Sequence, residues 1–331
     1  MPPLRRTPLP ALLLTALTAC TPSYKRCPAP PHMDALGALP KLTDTGLYAD
    51  AAHTALAAGV LPYRPNFELW SDGASKKRWI ALPEGAQIDT QAMDAWQFPR
   101  GTKLWKEFAR DGKALETRFM QKVGDRPEDW LAVSYVWDEA GKEALATPAG
   151  AKDVLGTSHD VPSSQDCFGC HNGTESRVLG VSAIQLPATA PAGELSLAML
   201  TETERLTAPP AAAPVIPGDA DTRAMLGYLH ANCAHCHNQQ RPPAGALRCW
   251  DPRKKFDLSL RTDALASLAD TPVYKTALEK MVVAGKPEKS PLYKRTRGDL
   301  RFFQSRMPSL GTETLDPAVL GMMERWIARI H

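Results

Sequence analysis

The chain has 331 residues, 23% of them charged, and a formal net charge of +3 at pH 7. That length accommodates two domains, each with its own core. So small a charge imbalance excludes nucleic-acid binding through bulk basicity and gives no sign of a strongly acidic partner.

A positive pair, Arg5 and Arg6, precedes an apolar run from 11 to 19 that ends in Leu17-Thr18-Ala19-Cys20. The run fits a secretory signal peptide over residues 1–20 and is too short to span a bilayer. Its last four residues resemble the lipobox of bacterial lipoproteins, which implies lipid attachment at Cys20; the alternative is an ordinary cleaved signal with an incidental Cys. Several acyl chains on Cys20 would anchor the protein to a membrane. Thr21, in place of Asp, suggests the outer membrane and a periplasmic location. No other segment approaches membrane-spanning length.

Residues 21–60 read as a tether punctuated by Pro22, Pro28, Pro30, Pro31 and Pro40. From 61 to 207 the pattern becomes β-rich. Leu104–Phe108 and the run from 115 to 123 flank Asp111-Gly112 and predict a hairpin. The runs 77–82 and 132–137 predict further strands. Six of the eight Trp lie between Trp70 and Trp137. They read as the core of a sandwich-like β domain, with a ligand-lining groove as the alternative use. No catalytic triad, phosphate loop or pair of catalytic carboxylates is evident here.

Cys167-Phe-Gly-Cys170-His171 lies within this region. A Pro/Ala-rich segment, 208–218, predicts a domain boundary. Beyond it Asp219 and Asp221 precede a helical pattern (Met225, Leu226, Tyr228, Leu229) that runs into Cys233-Ala-His-Cys236-His237. With 7 Cys and 8 His in the chain, chance gives roughly 0.004 copies of Cys-x-x-Cys-His, so two copies are not accidents of composition. The pentapeptide is the attachment signature of haem c: both thiols add to the haem vinyl groups and the His coordinates iron. Zinc binding and structural disulfides are the competing chemistries. The expected cofactors are two covalently attached haem c groups, on Cys167, Cys170 and His171 and on Cys233, Cys236 and His237. Because haem is joined to an unfolded chain after export, the general secretion route is favoured over the twin-arginine reading that Arg5-Arg6 invites. Cys27 and Cys249 are left over, and in an oxidising compartment they could pair.

A second axial ligand for the iron on His237 is offered by Met307-Pro308; ordinary apolar filling is the other use of such a Met. For the iron on His171, His159, Met199, His230 and His235 are all conceivable, and an open sixth position is the alternative. Asp316-Pro317 predicts an N-cap and first turn, followed by a stripe of Val319, Met322 or Met323, Trp326 and Ile330. The order helix, Cys-x-x-Cys-His, loop, Met-Pro, helix resembles class I cytochromes c and leads us to expect an all-α cytochrome c-like domain over 219–331.

Over about residues 60–331 the chain resembles a largely uncharacterised family of bacterial di-haem c-type cytochromes. The likeness rests on Leu69-Trp70-Ser71-Asp72-Gly73-Ala74, Lys77-Arg78-Trp79, Phe98-Pro99-Arg100-Gly101-Thr102, both haem motifs, the stretch Gly285-Lys-Pro-Glu-Lys-Ser290-Pro-Leu-Tyr and Trp326-Ile327. The resemblance implies haem binding and electron transfer in the cell envelope. The expected protein is a membrane-anchored cytochrome that passes single electrons to redox partner proteins. The alternatives are a di-haem peroxidase with an open first haem and a ligand-binding redox subunit.

Overall fold

The computed structural model describes residues 32–239, 256–278, 280–299, 306–308 and 311–331. Cys20, Cys27 and Cys249 lie outside these residues, as do the expected signal peptide and lipid-attachment site. Among the described residues no helix is long and apolar enough to cross a membrane.

Six antiparallel strands form one sheet in sequence order: β1 (Val60–Pro62), β2 (Ser75–Ala81), β3 (Lys103–Arg110), β4 (Lys113–Lys122), β5 (Trp130–Trp137) and β6 (Ala144–Ala146). The predicted hairpin is β3–β4, which turns on Asp111 (φ 49°) and Gly112 (φ 78°). Two consecutive left-handed residues match the twist of the paired strands, and Asp-Gly tolerates that backbone well.

Alternation along the strands sorts the apolar side chains onto two faces. Trp79, Trp105, Phe119, Leu131, Val133, Tyr135 and Trp137 share one core cluster with Leu42 and Leu47. Ile80, Leu104, Met120 and Ala132 share another with Phe168, Leu186 and Leu200. Among the described residues no second sheet supplies either layer, so the sandwich expectation resolves into one sheet covered by non-strand segments. Of the six Trp in this region all but Trp70 are core, and Trp96, Trp105 and Trp130 are each 1% exposed.

The expected tether over 21–60 requires correction where it is described. Its residues form 3-10 turns at Met33–Ala38 and Leu42–Thr45, and Leu42 and Leu47 are fully buried on the sheet. Trp105 Nε1 donates to Thr45 Oγ1 at 2.8 Å, Tyr135 OH donates to the Leu39 carbonyl at 2.9 Å, and Lys103 Nζ donates to the Thr45 carbonyl at 2.7 Å. The leucines need cover, and the broad aromatic face of the sheet provides it.

The opposite face is covered by α1 (Ser164–His171), α2 (Leu197–Glu202) and the intervening loops. Beyond lie α3 (Ala220–Asn232), α4 (Pro272–Thr276), α5 (Pro291–Arg297) and α6 (Pro317–Ala328). Asp219 caps α3 through the Thr222 N–H, and Asp316 caps α6 through the Ala318 N–H. The buried stripe of α6 is Val319, Met323, Trp326 and Ile327, so Met323 rather than Met322 faces the core.

The expected all-α cytochrome c-like domain is overturned. Only α3 (13 residues) and α6 (12 residues) exceed ten residues among the described helices. Residues 256–299 run through 3-10 turns and the short helices α4 and α5, with Pro272, Pro287 and Pro291 opening successive turns. Proline starts a turn readily but cannot continue a longer helix, because it lacks the N–H that the helix needs. This half also draws Ile184 and Phe67 into its core from the β-rich half. Its packing is therefore not self-contained.

Residues 66–72 join the halves. The Trp70 N–H donates to Asn232 Oδ1 (2.7 Å), and Asn232 Nδ2 donates to the Glu68 carbonyl (3.1 Å). The Asp72 carboxylate accepts from the backbone N–H groups of Glu313 and Thr314 at 2.8 and 2.9 Å. The start of the 208–218 segment is likewise fastened, by Thr90 Oγ1 donating to the Ala208 carbonyl at 2.7 Å.

Candidate functional site

The first motif lies on a short helix, α1. Ser163 accepts from the Asp166 N–H while the Asp166 carboxylate accepts from the Ser163 N–H, a reciprocal cap that starts α1 despite its shortness. Cys167, Cys170 and His171 then fall within its last five residues. The second motif follows α3 directly, as expected. Cys233 is the C-cap, and the Cys236 and His237 N–H groups both donate to its carbonyl, at 3.1 and 2.8 Å.

None of the four motif cysteines is in a disulfide among the described residues, and all are only partly shielded from solvent. Even so, burial pushes the Cys167, Cys170 and Cys233 thiols up to about 12. Zinc would need three or four convergent donors; among the described residues no group of three or more His, Cys, Asp or Glu could hold a metal ion.

His171 Nδ1 donates to the Arg177 carbonyl at 2.6 Å, which fixes the tautomer and leaves Nε2 as the free lone pair. Burial, with Lys106, Arg118 and Arg177 nearby, outweighs that hydrogen bond and brings the imidazole down to about 4, so it is neutral at physiological pH. A ligating histidine requires that state. His237 stacks on Phe256, with centroids 4.7 Å apart and planes at 22°. The Leu258 N–H donates to the His237 carbonyl at 2.8 Å.

The structure brings the two motifs together, although 66 positions separate His171 from His237. Asn238 Nδ2 donates to the Gly173 carbonyl at 2.9 Å and to the Ala234 carbonyl at 2.6 Å, tying one motif to the other. A Cβ on Gly173 would lie 1.6 Å from the His235 carbonyl oxygen, so only glycine permits this approach. Neither Gly173 nor Asn238 was legible as functional in the sequence.

The conceivable sixth ligands are dispersed. His159 Nε2 lies 2.9 Å from Glu116 Oε2 and is buried there. Met199 packs against the same apolar cluster as Cys167. His230 Nδ1 accepts from the Leu260 N–H at 3.0 Å, and with His235 it lines a cleft beside Trp96, Val178 and Asn238. Met307 is half-buried, its N–H donating to the Arg295 carbonyl at 3.0 Å. Burial and then the nearby Cys233 thiol push the Tyr228 phenol upward, with Arg306 in electrostatic reach. The segment before Met307 and the second motif therefore flank the same tyrosine.

The sheet face that α1 covers carries a buried charge cluster that the sequence did not reveal. Glu116 is fully buried; Arg118 grips it bidentately at 2.8 and 3.1 Å, and His159 caps its other side. Burial alone would raise the Glu116 carboxyl, but Arg118 and the hydrogen bonds outweigh it and hold the group at about 2.

Comparisons with protein-family models, curated proteins and solved structures return no match. The functional reading therefore rests on the site itself.

Proposed function

We propose that this chain is a di-haem c-type cytochrome of the bacterial cell envelope, anchored through lipid on Cys20, that passes single electrons between redox partner proteins. The observation that carries this reading is the meeting of two complete Cys-x-x-Cys-His sets. In each the cysteines stand outside any disulfide, and on the first the imidazole is held neutral with one nitrogen free. The resemblance to di-haem cytochromes points the same way.

Cys167 and Cys170 would hold one haem and Cys233 and Cys236 the other, with His171 and His237 as iron ligands. Haem iron, when bound, supplies a reversible one-electron couple. The chain's part is to fix the two sites side by side. The Arg177 carbonyl orients His171, Phe256 backs the His237 ring, and Asn238 staples one motif to the other, so little reorganisation accompanies a change of charge. Met307 is the proposed distal ligand on the His237 side, where a thioether raises the potential relative to a second imidazole.

The test is expression with and without the cytochrome c maturation machinery, followed by mass spectrometry and optical spectra. Two haem masses are expected in the matured protein, and Met307→Ala should perturb one low-spin signal while sparing the other. A colourless matured protein, or one that yields zinc on elemental analysis, overturns the proposal.

A further inference from the structure

Three cations stand directly opposite one another across adjacent strands. Arg78 on β2 pairs in register with Lys106 on β3, and Lys106 with Arg118 on β4. Lys76, two residues before Arg78, shares their face. Like charges at such positions repel, and these are largely withdrawn from water: the Lys76 and Arg78 side chains are 6% and 5% exposed. Two carboxylates make ion pairs with these four cations, and Asp316 lies in electrostatic reach of Lys76. Glu116 is taken by Arg118, and Glu68, itself half-exposed, reaches Lys76 at 3.8 Å and Arg78 at 3.4 Å. Among the described residues no carboxylate pairs with Lys106. Its ammonium and the Arg118 guanidinium both lie over the Phe108 ring, 4.9 and 4.3 Å from the centroid.

This cluster therefore carries more positive than negative charge. Left alone, that is costly: burial, then Arg78, Arg118 and Lys76, drive the Lys106 ammonium well below its usual range. The row also faces the first motif. Lys106 and Arg118 are in electrostatic reach of Cys170 and His171, and Arg118 of Cys167 as well. Lys106 and Arg118 remain partly solvent-accessible, as do the motif thiols.

We propose that Arg78, Lys106 and Arg118, with Lys76, form a binding site for a pair of carboxylates beside the first Cys-x-x-Cys-His motif. Added carboxylates would offset the surplus, and they suit the planar donors of the arginines. Two sources share that chemistry: the two propionate groups of a haem on Cys167 and Cys170, which rests on the function proposed above, and a free small dicarboxylate.

Lys106→Met and Lys106→Arg are tested in the matured full chain by intact mass, redox titration of both haems and thermal melting. With Lys106→Met, two haem masses should persist while one midpoint potential falls and the other holds, because a lost cation no longer stabilises the added electron. The melting temperature should also fall, and Lys106→Arg should restore both values. Unmoved midpoints together with a higher melting temperature for Lys106→Met would overturn the site, since deleting a repelled, unoccupied charge stabilises. Succinate added to the wild type separates the sources. A saturable shift that Lys106→Met abolishes identifies a free dicarboxylate; no shift, alongside the expected Lys106→Met results, identifies the propionates. If the wild type carries no haem, the function proposed above fails. The carboxylate site is then judged by succinate alone: it stands if succinate raises the melting temperature of the wild type but not of Lys106→Met, and falls if the two respond alike.

Discussion

Replacing Gly173 by Ala tests how closely the two motifs are held. The new methyl would lie 1.6 Å from the His235 carbonyl oxygen, 2.7 Å from its carbonyl carbon and 3.0 Å from the Cys170 oxygen. All three are backbone atoms, so no side chain can swing aside. Normal van der Waals spacing requires the motifs to part by roughly 1.5 Å. That displacement takes the Asn238–Gly173 hydrogen bond, now 2.9 Å, out of range. Overpacking costs about 1–3 kcal/mol, and a buried acceptor left without its donor about 1–3 kcal/mol more. The expected loss is therefore on the order of 2–5 kcal/mol. It should appear as a lower denaturation midpoint with an unchanged slope in guanidinium unfolding. Gly37→Ala is the control, since a Cβ there meets nothing within 4 Å, and it should stay within about 0.5 kcal/mol of the wild type. Should Gly173→Ala prove as stable as Gly37→Ala, the close apposition of the motifs is wrong. In the matured protein, the same variant should weaken magnetic coupling between the irons in electron paramagnetic resonance.

Two more expectations concern the sheet. Glu116 is held at about 2 against an ordinary 4.5. Its folded value is depressed, so its stabilisation is complete above about pH 5 and is lost as pH falls toward 2, at roughly 3 kcal/mol in full. Acid unfolding of Glu116→Gln should lack that component, while at pH 7 the variant should be weaker by about 3–5 kcal/mol through the stranded Arg118; equal acid sensitivity in both proteins would refute the pairing. Trp105→Ala removes a 1% exposed ring and its bond to Thr45, at a cost of about 3–5 kcal/mol. Limited proteolysis should then cut within residues 33–57, and protection equal to the wild type would contradict the docking of that segment.

Local chemistry alone determined much of this protein. Asp111-Gly112 declares its hairpin, and Asp219 and Asp316 declare the starts of α3 and α6 because a cap acts on the adjacent turn, while the spacing of the two pentapeptides is what the proposed haem attachment rests on. Long-range packing decided the rest. The prolines in residues 21–60 suggested a tether, yet Leu42 and Leu47 gain more by covering the sheet than by staying in water. The helical pattern near both ends of 219–331 suggested an all-α domain, but cross-packing of Phe67 and Ile184 makes up for helices that the prolines cut short. Strand alternation shows that Lys76, Arg78, Lys106, Glu116 and Arg118 share one face, and read alone such a face belongs in solvent. Only the fold lays α1 against it, because alternation says which side chains point together while contacts distant in the chain decide what they point at.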